Sequence, residues 1–260
     1  MRMGFIGTGV MAGAMLQAAL DADFLRPEDV MAYDKLPQAA GRFGVAVAES
    51  VRDVAAGCDI IQLGVKPQDM PTLLEEISPV LRPDCLVISI AAGVPLMRIT
   101  PRAPRAVRLM PNINATVGQA ITAYCAAEDV SQGELDFVAG YCGCFGRAVA
   151  LDEKHFSAFV ALAGSAPAFV FLFIDELARA GVTAGLPKAR ALEIAAQTVF
   201  GSAALVKQSD AHPYALADRV SSPGGTTIAG INKLREHGFA HAISQAVLAA
   251  YNRDRELQGL

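Results

Sequence analysis

The stretch GFIGTGVMAG, residues 4–13, constrains the fold of this chain more than any other. It places Gly7, Gly9 and Ala12 in Gly-x-Gly-x-x-Ala spacing between an apolar run at 1–7 and a helical pattern at 9–21. In such a strand-turn-helix unit the first glycine permits the tight turn and the second lets a pyrophosphate approach the backbone. The small third residue lets helix and strand pack closely, and the amides opening the helix receive the anion. A dinucleotide-binding loop is expected, with Ile6, Gly7, Thr8, Gly9, Val10, Met11 and Ala12 as candidate cofactor contacts. A second strand, VMAYD at 30–34, ends in Asp34, at the separation where an acid binds an adenosine ribose diol. Asp34 favours NADH, whereas the adjoining Lys35 could pair with a 2'-phosphate, so NADH and NADPH both stay open.

The alternation continues. Apolar runs at 59–65 and 85–91, with further strand candidates at 105–109 and 120–125, are separated by helical spacing such as Met70, Leu73, Leu74 and Ile77. This rhythm calls for a parallel sheet with helices on both faces. From Asp152 the pattern changes to helices alone, punctuated by GVTAGLP and SSPGG. The expected fold is an α/β Rossmann-type dinucleotide-binding domain over 1–151, followed by an all-α dimerisation and substrate-binding domain over 152–260.

Of 260 residues, 53% are hydrophobic and 18% charged, which leaves apolar surface to be shared between subunits and implies an oligomer. The run from Phe156 to Ile174 carries no charge and is long enough by count for a bilayer, but Gly164, Ser165 and Pro167 interrupt it. It is expected to be a helix buried between subunits, with no membrane partner. A net charge of −4 with scattered Lys and Arg argues against nucleic acid. Five cysteines without CxxC spacing fit reduced thiols, and the opening MRMGFIGTG reads as strand and turn rather than a signal peptide, so a cytoplasmic location is expected. His237 and His241 stand four apart, but no third ligand stands at metal-site spacing, and no metal is expected.

A second glycine-rich loop, SSPGGTTIAGI at 221–231, precedes another helical run. Gly224 and Gly225 expose backbone amides at a helix beginning near Thr226, which makes a second anion site by the same helix-terminus logic. With a dinucleotide held in the first half, the expected anion is the carboxylate of a small substrate. The candidate substrate residues are Ser222, Gly224, Gly225, Thr226 and Thr227.

The blocks FIGTGVMAGAM, LGVKPQDM, ISIAAGV, RLMPNINATVGQAIT, LAGSAPAFVFLFIDELARAGVTAGLP and HPYALADRVSSPGGTTIAGINKL closely resemble those of the pyrroline-5-carboxylate reductase family, along the whole chain. The resemblance implies hydride transfer from NADPH or NADH to the imine of Δ1-pyrroline-5-carboxylate, giving L-proline, in a homodimer or a larger ring. It implies that Thr227 meets the substrate's ring nitrogen as the catalytic hydroxyl, and that the backbone around Gly225 and Thr226 binds the carboxylate. It further implies that the Gly64, Val65, Lys66, Pro67 segment lies along the nicotinamide ribose. Ser89, Ala91 and Ala92 would lie beneath the nicotinamide, and Asn112 near its amide end. An imine protonated in water is already electrophilic, so no dedicated His or Lys acid is required.

Departures from the family pattern fall at Val10 and Val51, where polar residues are usual, at Ile113 and Asn114 in MPNINA, and at Ala166 and Phe169 in GSAPAF. Two other functions compete. A β-hydroxyacid dehydrogenase would need a lysine on the first long helix of the second half, where none follows Lys154. A catalytically silent dinucleotide sensor would have no use for an intact SPGGTT.

Overall fold

The computed structural model describes residues 1–259. It contains two compact units, one formed by Met1–Gly164 with the segment from Tyr251 onward, the other by Ser165–Ala250. In the first unit, β1 (Met3–Ile6), β2 (Val30–Tyr33), β3 (Ala46–Val47), β4 (Ile60–Leu63), β5 (Leu86–Ser89), β6 (Ala106–Met110), β7 (Ala120–Ala126) and β8 (Gly146–Ala150) form one sheet. Their order is β3-β2-β1-β4-β5-β6-β7-β8. Helices α1 (Val10–Asp21), α2 (Pro37–Gly41), α3 (Val51–Gly57), α4 (Met70–Ile77) and α5 (Gln132–Gly143) connect the strands.

Side chains alternate through the sheet with the period of two that extended backbone imposes. Met3 and Phe5 of β1, Ile88 of β5 and Leu109 of β6 enter one core with Leu16 of α1 and Tyr141 of α5. Ile6, Ile61 and Val87 enter the opposite core with Val54 of α3 and Leu73 of α4. Both faces are therefore covered, which is why β1, β4 and β5 are buried at every position.

All neighbouring strands are parallel except β6 and β7, which run antiparallel. The expected parallel sheet is present, with one antiparallel pair within it. The connection over 111–119 is short and holds only a 3₁₀ segment, Ile113–Val117, too little chain for the crossover a parallel pair needs. β3 and β8 were not anticipated.

β2 and β4 flank β1 on opposite sides, each in parallel register with Met3–Ile6. The strand order reverses there, and open α/β sheets take ligands beyond the carboxyl ends of strands at such a point.

Beyond β8 the described chain is helical. α6 (Phe156–Phe159) leads into a π-helical segment, Val160–Ser165, and then α7 (Ala166–Thr183), α8 (Lys188–Gln208), α9 (Pro213–Arg219), α10 (Thr226–Glu236) and α11 (Phe239–Gln258). The interruption expected within 156–174 is thus a widened π turn, with Pro167 in the first turn of α7 where its missing N–H costs least. The helical run Glu153–Thr183 is long and apolar enough, by length and composition, to cross a membrane. The second unit has a small core of its own: Ala178 of α7 against Ala191 and Ala195 of α8, with Ile174 beside them. Its large apolar side chains lie outward in the single chain, Phe171 at 58%, Leu172 at 62% and Phe200 at 64% exposure.

Candidate active site

The first glycine loop closes the carboxyl end of β1. Gly7 N–H donates to the Tyr33 carbonyl and Gly64 N–H to the Ile6 carbonyl, each at 2.8 Å, so the chain leaving β1 is tied to both neighbours. Gly7 has φ +87°, and a Cβ there would stand 2.8 Å from the Gly64 carbonyl oxygen. A Cβ on Gly64 would stand 2.5 Å from the Gly7 oxygen and 2.7 Å from the Ala12 side chain. Only residues without bulk fit where β1, β4 and α1 meet. At Gly9 a Cβ would meet nothing within 4 Å. Gly9 is the N-cap of α1, and no side chain caps it, so the first amides of the helix have no partner within it. The glycine opens backbone toward a ligand, and the positive end of the helix dipole lies there.

The cleft beside this loop has a volume of about 770 Å³. Of the predicted cofactor residues, Ile6, Gly7, Gly9, Asp34, Lys35, Gly64, Val65 and Lys66 line it. Thr8 does not: it is completely buried. Its N–H donates to Asp34 Oδ2 at 2.7 Å and its hydroxyl to the same oxygen at 3.1 Å. Asp34 Oδ1 accepts from Leu36 N–H at 3.0 Å. Partial burial pushes the Asp34 carboxyl up, but these hydrogen bonds and the nearby Arg42 charge outweigh it and hold the group below its ordinary range. Asp34 therefore braces the loop as well as facing the cleft. Val10 is 73% exposed at the helix start, Met11 packs against the core, and Ala12 fills the gap beside Gly64. Pro67 opens a 3₁₀ turn, Pro67–Asp69, directly behind Lys66.

The sequence reading missed Glu49, Asp69 and Glu76, which also line the cleft. Glu49 and Ser50 reach it because the two-residue β3 precedes α3, whose start is fixed by a Ser50–Asp53 capping box. The Ser-x-x-Asp spacing was the available signal. Thr72, Leu73 and Glu76 share one side of α4 through helical spacing. Lys35 Nζ stands 3.4 Å from Asp69 Oδ2, in an exposed pair.

Ser89 ends β5, Ala91 and Ala92 follow it and Asn112 follows β6, at the same edge of the sheet as Gly7 and Gly64. Ser89 is buried, and its hydroxyl oxygen accepts from Ala91 N–H at 3.3 Å, turning the chain out of β5. Asn112 is 5% exposed and its Nδ2 donates to the Ala163 carbonyl of the π-helical segment at 3.1 Å. Its Oδ1 is buried without a partner, an acceptor waiting for a donor.

The second glycine loop belongs to the other unit. Gly224 has φ +70°, the left-handed region that suits glycine, and Gly225 N–H donates to the Ser222 carbonyl at 3.0 Å. A Cβ on Gly225 would stand 2.3 Å from the Ser222 hydroxyl. Gly225 is the N-cap of α10, and no side chain caps that helix either. Thr226 and Thr227, the first two residues of α10, are exposed in the single chain. The Ser221 hydroxyl, by contrast, donates back to Ala217 of α9 at 2.7 Å.

Nucleophilic cysteine chemistry has no support, since burial pushes the Cys58 thiol up to about 11 and the Cys142 thiol up to about 12. His237 and His241 are exposed, and among the described residues no group of three or more His, Cys, Asp or Glu could hold a metal ion.

Comparison with known proteins accords with this arrangement. Residues 153–257 match the family model for pyrroline-5-carboxylate reductase dimerisation, and residues 2–93 match that for NADP oxidoreductase, coenzyme F420-dependent. A pyrroline-5-carboxylate reductase of Glycine max is 39% identical over 261 residues, covering 98% of this chain and 95% of its own. That of Escherichia coli is 38% identical, covering 98% of both chains. A crystal structure of Plasmodium falciparum pyrroline carboxylate reductase with NADP bound superposes with a TM-score of 0.90 at 29% identity, covering 99% of this chain and 98% of that one. With such identity over almost the whole of both chains, the protein belongs to the pyrroline-5-carboxylate reductase family.

Proposed function

We propose that this chain reduces the cyclic imine Δ1-pyrroline-5-carboxylate to L-proline in the cytoplasm, with residues 1–151 holding a nicotinamide dinucleotide and residues 152–260 holding the substrate and a second copy of the chain. The observation that carries the substrate assignment is the N-terminus of α10, opened by Gly224 and Gly225 and capped by no side chain. Its amides suit the substrate's carboxylate. Thr227, in the first turn of the same helix, then sets its hydroxyl against the ring nitrogen.

The residues of the first loop fit a dinucleotide. The open face of Gly9 and the unbonded amides of α1 suit the pyrophosphate, Val51 and Leu73 give the cleft apolar wall, and Asp34 stands at its ribose-binding position. Bound there, a reduced nicotinamide supplies the hydride. The unpartnered Asn112 Oδ1 suits the carboxamide N–H of that ring, and the small Ala91 and Ala92 leave room beneath it. Lys35 is drawn to Asp69, which leaves Asp34 to favour NADH at least as well as NADPH.

A β-hydroxyacid dehydrogenase is disfavoured by α7, APAFVFLFIDELARAGVT, which offers no lysine. Turnover of Δ1-pyrroline-5-carboxylate with NADH tests the proposal. Binding of NADH and NADPH without turnover with either would leave only the silent sensor standing.

A further inference from the structure

Arg42 belongs to none of the family blocks and does not line the cleft. It caps the carboxyl end of the short α2. From there its Nη2 donates to the Thr8 carbonyl at 3.2 Å, and its guanidinium lies 4.6 Å from the centre of the Phe43 ring. The other two polar atoms of Thr8 are both held by Asp34. Every hydrogen-bonding group of the loop's buried middle residue is thus engaged, two from the end of β2 and one from Arg42.

Gly13 completes the arrangement. A Cβ there would stand 2.5 Å from Arg42 Nη2, 3.0 Å from the Phe43 ring and 3.1 Å from the Thr8 carbonyl oxygen. The bare α1 backbone at Gly13 is the slot in which the arginine lies.

We propose that Arg42 is a positioning residue for the dinucleotide. By gripping the Thr8 carbonyl it fixes the peptide between Gly7 and Gly9, and so the direction of the amides that open α1. Its positive charge also offsets the Asp34 carboxylate beside a site that must accept an anionic pyrophosphate. The guanidinium reaches one carbonyl while stacking on Phe43, a combination an ammonium group does not reproduce.

The proposal rests on the dinucleotide reading above, and calorimetric titration of NADH into the cofactor-free protein separates the two. Arg42→Ala should raise the NADH Kd about tenfold, equivalent to ~1.4 kcal/mol. Arg42→Lys should recover only part of the loss. The kcat at saturating NADH and the KM for the imine should stay at wild-type values, a split that general damage to the fold would not produce. Gly13→Ala should weaken NADH binding from the other side of the contact, and the double variant should bind no worse than the weaker single one. If Arg42→Ala fails to fold, Arg42→Lys and Arg42→Gln carry the same comparison. A wild-type Kd in the Arg42 variants, or losses that simply add with Gly13→Ala, would overturn the role of Arg42 alone. A wild-type protein that binds neither NADH nor NADPH would overturn the dinucleotide reading instead.

Discussion

Thr227 carries the heaviest chemical demand in the proposed reaction, because one exposed hydroxyl in the first turn of α10 is asked to meet the substrate nitrogen. Thr227→Ala should lower kcat/KM for Δ1-pyrroline-5-carboxylate about ten- to two-hundredfold, the range for losing a hydrogen bond to a charged group worth ~1.5–3 kcal/mol. NADH affinity should be unchanged. Ser222→Ala is the comparison: its hydroxyl sits over Gly225 inside the turn, so its removal should cost less. If Thr227→Ala weakens NADH binding and spares turnover at saturating NADH, the loop serves the dinucleotide. Single residues also mark how far the sequence could be read. Gly7 and Ala12 were legible because their spacing follows from the close contacts they make with Gly64. The inward turn of Thr8 was not, since nothing local shows that its hydroxyl faces Asp34 across the strand ends.

At the scale of elements, the central strands were legible because they are buried on both faces and so read as unbroken apolar runs. β3 is two exposed residues, Ala46 and Val47, and β8 is largely exposed at the sheet edge, so neither carries an apolar pattern. The antiparallel turn into β7 depends on connection length rather than on residue type. The cleft was legible on its glycine side and obscure on its acidic side, where β3, α3 and α4 bring in Glu49, Asp69 and Glu76 from separate parts of the chain. Those three join Asp34 against Lys35 and Lys66, and Lys35 is paired with Asp69. A 2'-phosphate adds roughly −1.5 to −2 charges at neutral pH to this surface. NADH should therefore be at least as good a donor as NADPH by kcat/KM in steady-state kinetics with each. A strong NADPH preference would mean that Lys35 leaves Asp69 to hold the phosphate.

At the scale of the whole molecule, the single chain has an unbalanced distribution of apolar surface. The sheet unit buries two large cores, whereas the core of the helical unit is a few alanines and Ile174, with Phe171, Leu172 and Phe200 left outward. Such a surface calls for a partner, and the family to which residues 153–257 belong is one of dimerisation. Light scattering at micromolar concentration should find a dimer or a larger ring, and a stable, well-folded monomer would contradict the assignment of these helices. The central claim, hydride delivery from the nicotinamide to the imine carbon, is tested most directly by isotope transfer. With NADH carrying deuterium at the transferable position of its nicotinamide ring, mass spectrometry of the product should find one deuterium in L-proline. It should sit on the ring carbon bonded to nitrogen and remote from the carboxylate. Proline without the label, or NADH and NADPH both left unoxidised in the presence of Δ1-pyrroline-5-carboxylate, would contradict it.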